Sequence, residues 1–255
     1  MEHKDNVKKL LYLFIGLFSM TLIGQNEPLF EKGKELYKAE NFQEAINNWS
    51  QIVDNGEHSA DLYYNLGNAH YKLNNVGPSI YYYEKALMLE PNDSDVKNNL
   101  AFAKNATIDV IEPLPKTFFA KWYESLSGVL TYDGWALLAV LFAMLFVLLF
   151  LGYYFSFSEK RKRLLFTSSI ASVILLLGSL AIAFMTFNDC EADKPAIIFA
   201  ESTEIRSEPN MGSETAFTLH EGTKVQVIAD DGDWLRIQLI DGKDGWIPSE
   251  DLKLL

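Results

Sequence analysis

The chain has 255 residues, 49% of them hydrophobic, with 22 Lys and Arg against 34 Asp and Glu and a net charge of -12. That acidity argues against nucleic acid or anionic lipid as a main partner, because both repel a negatively charged protein. A single cysteine, Cys190, excludes an intrachain disulfide and any cysteine-based metal site.

Lys4, Lys8 and Lys9 precede the apolar run 10–23, which ends at Gly24-Gln25-Asn26-Glu27. A charged, then apolar, then polar stretch makes residues 1–24 a secretory signal, or a signal anchor where it is not cleaved. Either sends the following residues outward.

Residues 26–110 repeat at an interval of 34: Gly33 is matched by Gly67 and Ala101, Tyr37 by Tyr71, Ala45 by Ser79, Ile46 by Ile80 and Trp49 by Tyr83. Small residues (Gly67, Ser79, Ala86) let two antiparallel helices approach, and large ones (Tyr63, Leu66, Tyr83) fill the space between them. Pro91-Asn92-Asp93-Ser94 stops one helix and caps the next. The period and pattern resemble the tetratricopeptide repeat. Two repeats are expected, with a capping helix over 95–105 in which Leu100 and Ala101 close the second. Lys32 departs from the pattern before Gly33, and Gly77-Pro78 replaces a charged helix start. The resemblance implies a groove for peptides or partner proteins, here Tyr64, Asn65, Asn68, Tyr71, Lys72 and Asn99. Amides there can bond an extended backbone and tyrosine faces can pack a side chain. The alternative is a solvated face. Asp95 stands where the family's carboxylate-clamping version has a basic residue, so that specificity is not expected.

Glu112-Pro113-Leu114-Pro115 breaks the helical pattern. Within 111–133, Phe118, Phe119, Trp122, Tyr123, Leu126, Val129 and Leu130 recur at helical spacing, followed by Tyr132 and Trp135. This suggests a helix lying in the headgroup layer; the alternative is a soluble helix packed on the repeats. Two uncharged apolar runs follow, 134–158 and 164–188, each long enough to span a bilayer at about 20 residues. Membrane helices are expected over 134–156 and 164–187. The loop between them, 157–163, holds Lys160, Arg161, Lys162 and Arg163, which keep it cytoplasmic. Both flanking parts then lie outside.

Beyond a polar link, residues 195–255 alternate short apolar runs with turns, among them Asp230-Asp231-Gly232-Asp233 and Asp241-Gly242. Such spacing suggests a small antiparallel barrel. Thr203-Glu204-Ile205-Arg206-Ser207-Glu208-Pro209, Glu221-Gly222-Thr223-Lys224-Val225 and Asp241-Gly242-Lys243-Asp244-Gly245-Trp246-Ile247 resemble segments of a bacterial SH3 domain. Ile205, Val225, Val227, Trp234, Ile237, Trp246 and Ile247 are expected to fill it; Trp234 and Trp246 could instead line a ligand surface. Its acidic residues would not attract anionic wall polymers.

The histidines His3, His58, His70 and His220 form no pair with metal-ligand spacing, and no nucleophile setting or phosphate loop is present. No enzyme and no cofactor are expected. The fold class is a multidomain membrane protein: all-α tetratricopeptide hairpins, a two-helix transmembrane hairpin and a small all-β SH3-like barrel. The order of these segments resembles the E-type proteins of the Bacteroides aerotolerance (Bat) operon of Bacteroidota. That resemblance implies a two-pass inner-membrane scaffold with its repeats and SH3-like domain in the periplasm. Its implied partners are von Willebrand factor A-type membrane proteins, a MoxR-type ATPase system and membrane lipid. The alternative is a peptidoglycan-anchoring or envelope-sensing protein acting through the SH3-like domain.

Overall fold

The structure is a computed structural model and describes residues 26–255; the expected signal over 1–24 lies outside them. The described residues divide into two compact units: 26–112 together with Pro195–Leu255, and Pro113–Lys194.

The first unit begins with five helices: α1 over 26–38, α2 (Phe42–Asp54), α3 (Ala60–Lys72), α4 (Val76–Leu89) and α5 (Ser94–Lys104). Local chemistry sets their ends. Ser59 Oγ accepts from Leu62 N at 3.2 Å and Asp93 Oδ1 from Val96 N at 3.0 Å, so each satisfies an orphan donor of a first turn. Glu40 and Asn74, at φ 61° and 60°, turn the chain after α1 and α3.

The period of 34 is a packing rule. A Cβ on Gly67 would sit 2.7 Å from ring carbons of Tyr83, and one on Gly33 would sit 2.2 Å from Trp49 Nε1. In both repeats a glycine on the first helix receives the large aromatic of the second. Trp49, Leu66, Ile80, Tyr83 and Ala86 are buried. The equivalent Ala101 is exposed; Val96, Leu100 and Ala103 are the buried residues of α5.

The rest of the first unit is an antiparallel sheet: β1 (Pro195–Ile198), β2 (Ser202–Arg206), β3 (Thr215–His220), β4 (Lys224–Asp231), β5 (Trp234–Gln238), β6 (Asp244–Pro248) and β7 (Leu252–Leu254), in the order β3-β2-β6-β5-β4-β1-β7. Among the described residues β3 and β7 do not pair, so the ladder is open where a closed barrel was expected. Ile205, Val225, Val227, Leu235, Ile237 and Ile247 form its core. Trp234 and Trp246 do not. Side chains alternate along a strand, so Leu235, Ile237 and Ile247 turn inward while Trp234 and Trp246 take the opposite face, half-buried.

Helices and sheet share one body. Ile197 of β1 is fully buried within the helical cluster, and Phe199 packs edge-on to Tyr81 with ring centroids 5.4 Å apart. Asp109, just past α5, caps the β3–β4 turn: its Oδ2 accepts from His220 N (2.7 Å) and Thr223 Oγ1 (2.6 Å), and its Oδ1 from His220 Nδ1 (2.8 Å). Glu84 of α4 is bonded by Lys104 and Lys224, each at 2.8 Å. Gly222 lies at φ 85°, where a Cβ would also come 2.9 Å from Ile80 Cδ1 and Thr107 Cγ2. The sequence presents His220 as a lone turn residue; it is the centre of this contact.

The second unit holds α6 (Phe118–Ser127), α7 (Tyr132–Phe155) and α8 (Glu159–Ala192). α7 and α8 are long and apolar enough to cross a membrane. They meet along small residues: Ser169, Ser172, Ser179 and Ala183 of α8 and Ala139 of α7 are buried, and Ser172 Oγ donates to the Phe142 carbonyl at 2.8 Å. α6 has no buried residue and exposes Phe118, Phe119 and Trp122. The basic residues 160–163 are helical: only 156–158 separate α7 from α8, so the expected loop over 157–163 is the start of α8. Glu159 opens that helix, and nothing in Lys160–Arg163 breaks one.

Candidate functional site

The helices of the first unit enclose a cleft of about 420 Å³ lined by Tyr64, Asn68, Tyr71, Lys72 and Asn99, with Tyr37, Tyr83 and Phe102. Residues 64, 68, 71 and 72 share one face of α3 because they recur at helical spacing. Asn65 is not in the lining; its amide donates to the Asp61 carbonyl one turn back, at 2.7 Å.

A hydrogen-bond network fixes the cleft floor. Tyr83 Oη donates to Asn68 Oδ1 at 2.7 Å, and Asn99 Nδ2 donates to the same oxygen at 2.9 Å and to Tyr64 Oη at 3.1 Å. Burial pushes the Tyr83 phenol well above its ordinary range, so it acts as a neutral donor. The Asn68 amide nitrogen and Asn99 amide oxygen keep hydrogen-bonding capacity beyond this network. Tyr71, Lys72 and Phe102 are exposed at the rim. The cleft therefore offers aromatic walls, an amide donor and acceptor, and one cation. Tyr37, Tyr83 and Phe102 were missing from the groove read in sequence. Tyr37 and Tyr83 stand in the repeat register as packing residues, which hid their place in the lining.

His70 lies on the opposite side of α3, stacked on Tyr82 with ring centroids 5.4 Å apart. Burial, with a smaller contribution from Lys253, lowers its pKa from 6.5 to about 4. The unfolded chain then binds a proton that the folded one refuses. The stability of the first unit should fall as pH drops from 6.5 towards 4, and His70→Gln should flatten that slope in a denaturant titration across pH.

A second surface lies on the outer face of the sheet. Trp246 is in register with Arg206 on one side and Arg236 on the other, and Trp234 faces Pro248. Each arginine is paired, Arg206 with Glu204 and Arg236 with Asp244, so neither arginine beside Trp246 is a free cation. Lys160, Arg161, Lys162 and Arg163 are exposed at the start of α8. Among the described residues no group of three or more His, Cys, Asp or Glu is placed to hold a metal ion.

Two family models match the chain. Residues 60–93 match the tetratricopeptide repeat and residues 201–253 the bacterial SH3 domain. No curated protein matches the chain. Among solved structures, an NlpC/P60 family protein from Bacillus cereus ATCC 10987 is similar at 14% identity and a TM-score of 0.22, over 28% of this chain. The chain spans 23% of that structure's length.

Proposed function

We propose that this chain is a non-enzymatic adaptor, anchored in the membrane, that holds an extended segment of a partner protein in the α1–α5 cleft and carries the sheet as a fixed second surface. Tetratricopeptide repeats and bacterial SH3 domains are binding modules, of protein partners and in the second case also of peptidoglycan. The observation that carries the reading is the cleft itself, where tyrosines stand beside an amide donor and acceptor whose protein partners leave capacity to spare. Backbone pairing with side-chain pockets is what an extended peptide needs.

In this reading α7 and α8 cross the inner membrane with residues 160–163 on the cytoplasmic side, because clustered Lys and Arg resist translocation. The packing of residues 26–112 with 195–255 supports an even number of crossings, since both segments must meet on one side. The exposed aromatics of α6 suit the headgroup layer outside. The order of segments supports a place in a periplasmic Bat-type complex, with von Willebrand factor A-type membrane proteins and a MoxR-type ATPase system as partners.

Tyr71→Ala, Lys72→Ala and Phe102→Ala together test the cleft, since all three side chains are exposed and their loss leaves the core intact. Partner recovery on the tagged protein from native membranes should drop about tenfold or more, the scale of one or two lost anchor residues. Unchanged recovery would place the function elsewhere. One observation favours a second reading, anchoring to peptidoglycan: Trp234 and Trp246 lie on the outer face of the sheet and not in its core. Co-sedimentation with purified sacculi that is lost in Trp246→Ala would favour it.

A further inference from the structure

We infer that the tip of the α7–α8 hairpin is a binding site for the phosphate-bearing headgroup of an anionic phospholipid. The inference rests on the membrane reading above. A cavity of about 390 Å³ opens at the tip, lined by Tyr153, Glu159, Lys162, Arg163 and Phe166. The recess is shallow and largely open to its surroundings.

Charge selects the ligand. Four consecutive cations, Lys160 to Arg163, stand against one carboxylate, Glu159. Among the described residues none of the four is in an ion pair; single unpaired lysines such as Lys72, Lys97 and Lys121 occur elsewhere, and what sets the tip apart is four unpaired cations in a row. The whole chain carries -12, so this local excess of positive charge runs against its composition. Two of the four cations line the cavity, and an arginine fork with a lysine beside it suits phosphate oxygens.

The walls select the lipid over a free anion. Tyr153 and Phe166 lie with ring centroids 5.7 Å apart at the same opening, and Phe157 and Leu164 are exposed beside it. Rings at this depth pack the glycerol and upper acyl region, while the basic side chains reach the headgroup. An inorganic ion would use only the cations.

The test uses the full-length protein in nanodiscs of phosphatidylcholine with a minority of phosphatidylglycerol, and mass spectrometry of the lipid that stays bound. Phosphatidylglycerol should be retained over phosphatidylcholine by about tenfold, as expected for one or two cations near a lipid surface. Lys162→Gln with Arg163→Gln should abolish that preference. Lys160→Gln with Arg161→Gln, which removes the same charge outside the cavity, should largely keep it, and excess inorganic phosphate should not displace the lipid. Equal loss in both double variants, full retention in the first, or no preference in the natural protein would overturn the site. Displacement by inorganic phosphate would overturn its assignment to lipid. A chain that purifies without detergent and does not enter nanodiscs would overturn the membrane reading and the site with it; entry without lipid preference overturns the site alone.

Discussion

Asp109→Ala is expected to loosen the sheet from the helices and to destabilise the first unit by about 2–4 kcal/mol, the scale for removing one partner of a buried charge-assisted network. The side chain is 12% exposed and accepts three hydrogen bonds from His220 and Thr223 across the contact. Its loss leaves the His220 N–H and the Thr223 hydroxyl without that acceptor. Hydrogen exchange on the full-length protein should show faster exchange at β1, at the β3–β4 turn and along α4 together, because Ile197 belongs to the helical core. Acid should mimic the substitution. Burial alone would raise the Asp109 pKa, but the bonds from Thr223 and His220 outweigh it and hold it below 3.8. A depressed carboxyl stabilises the fold above its unfolded value, and that contribution is lost as pH falls through the folded value. Glu84, held low against burial by Lys104 and Lys224, acts in the same direction. All three groups therefore act in the same direction, and acid should weaken the unit progressively, beginning with His70. Exchange confined to the turn would contradict the single-body packing.

Tyr83→Ala is expected to cost about 3–5 kcal/mol, as for other buried aromatics truncated to alanine. The ring is 1% exposed and sits against Gly67. Tyr83→Phe separates packing from the hydrogen bond to Asn68: it should cost only about 1 kcal/mol in urea unfolding. It should nevertheless weaken partner capture, because Asn68 loses the donor that fixes its amide in the cleft. A Phe variant with full capture would show that the cleft floor needs no such positioning.

The helical repeats were legible because each pairs a small residue with a large aromatic at a fixed interval, and Gly33–Trp49 and Gly67–Tyr83 meet as that interval requires. The strands were legible from alternation and turn residues. Which face of β5 and β6 turned inward was not. Trp234-Leu235 and Trp246-Ile247 place two apolar residues side by side, only one of each pair can enter a sheet this small, and the aliphatic ones do. The union of helices and sheet was invisible for a different reason. Its bonds join Asp109 to His220, Glu221 to Gly77 and Glu84 to Lys224, pairs separated by 111, 144 and 140 residues. Each member, met alone in sequence, is an ordinary surface or turn residue. The cleft was partly legible: α3 supplied its own face, but Phe102 and the floor from Tyr83 depend on how α4 and α5 pack.

The central claim is that helices α1–α5 and the sheet after α8 are one body on one side of a membrane. Single cysteines placed at Val110 and Met211, and one at Phe157, test it in a Cys190→Ser background; Val110, Met211 and Phe157 are 90%, 69% and 103% exposed, and Cys190 is also exposed. A membrane-impermeant maleimide applied to intact spheroplasts should label positions 110 and 211 alike and reach 157 only after lysis. Labelling of 110 and 211 on opposite sides, or of 157 in intact spheroplasts, would contradict it.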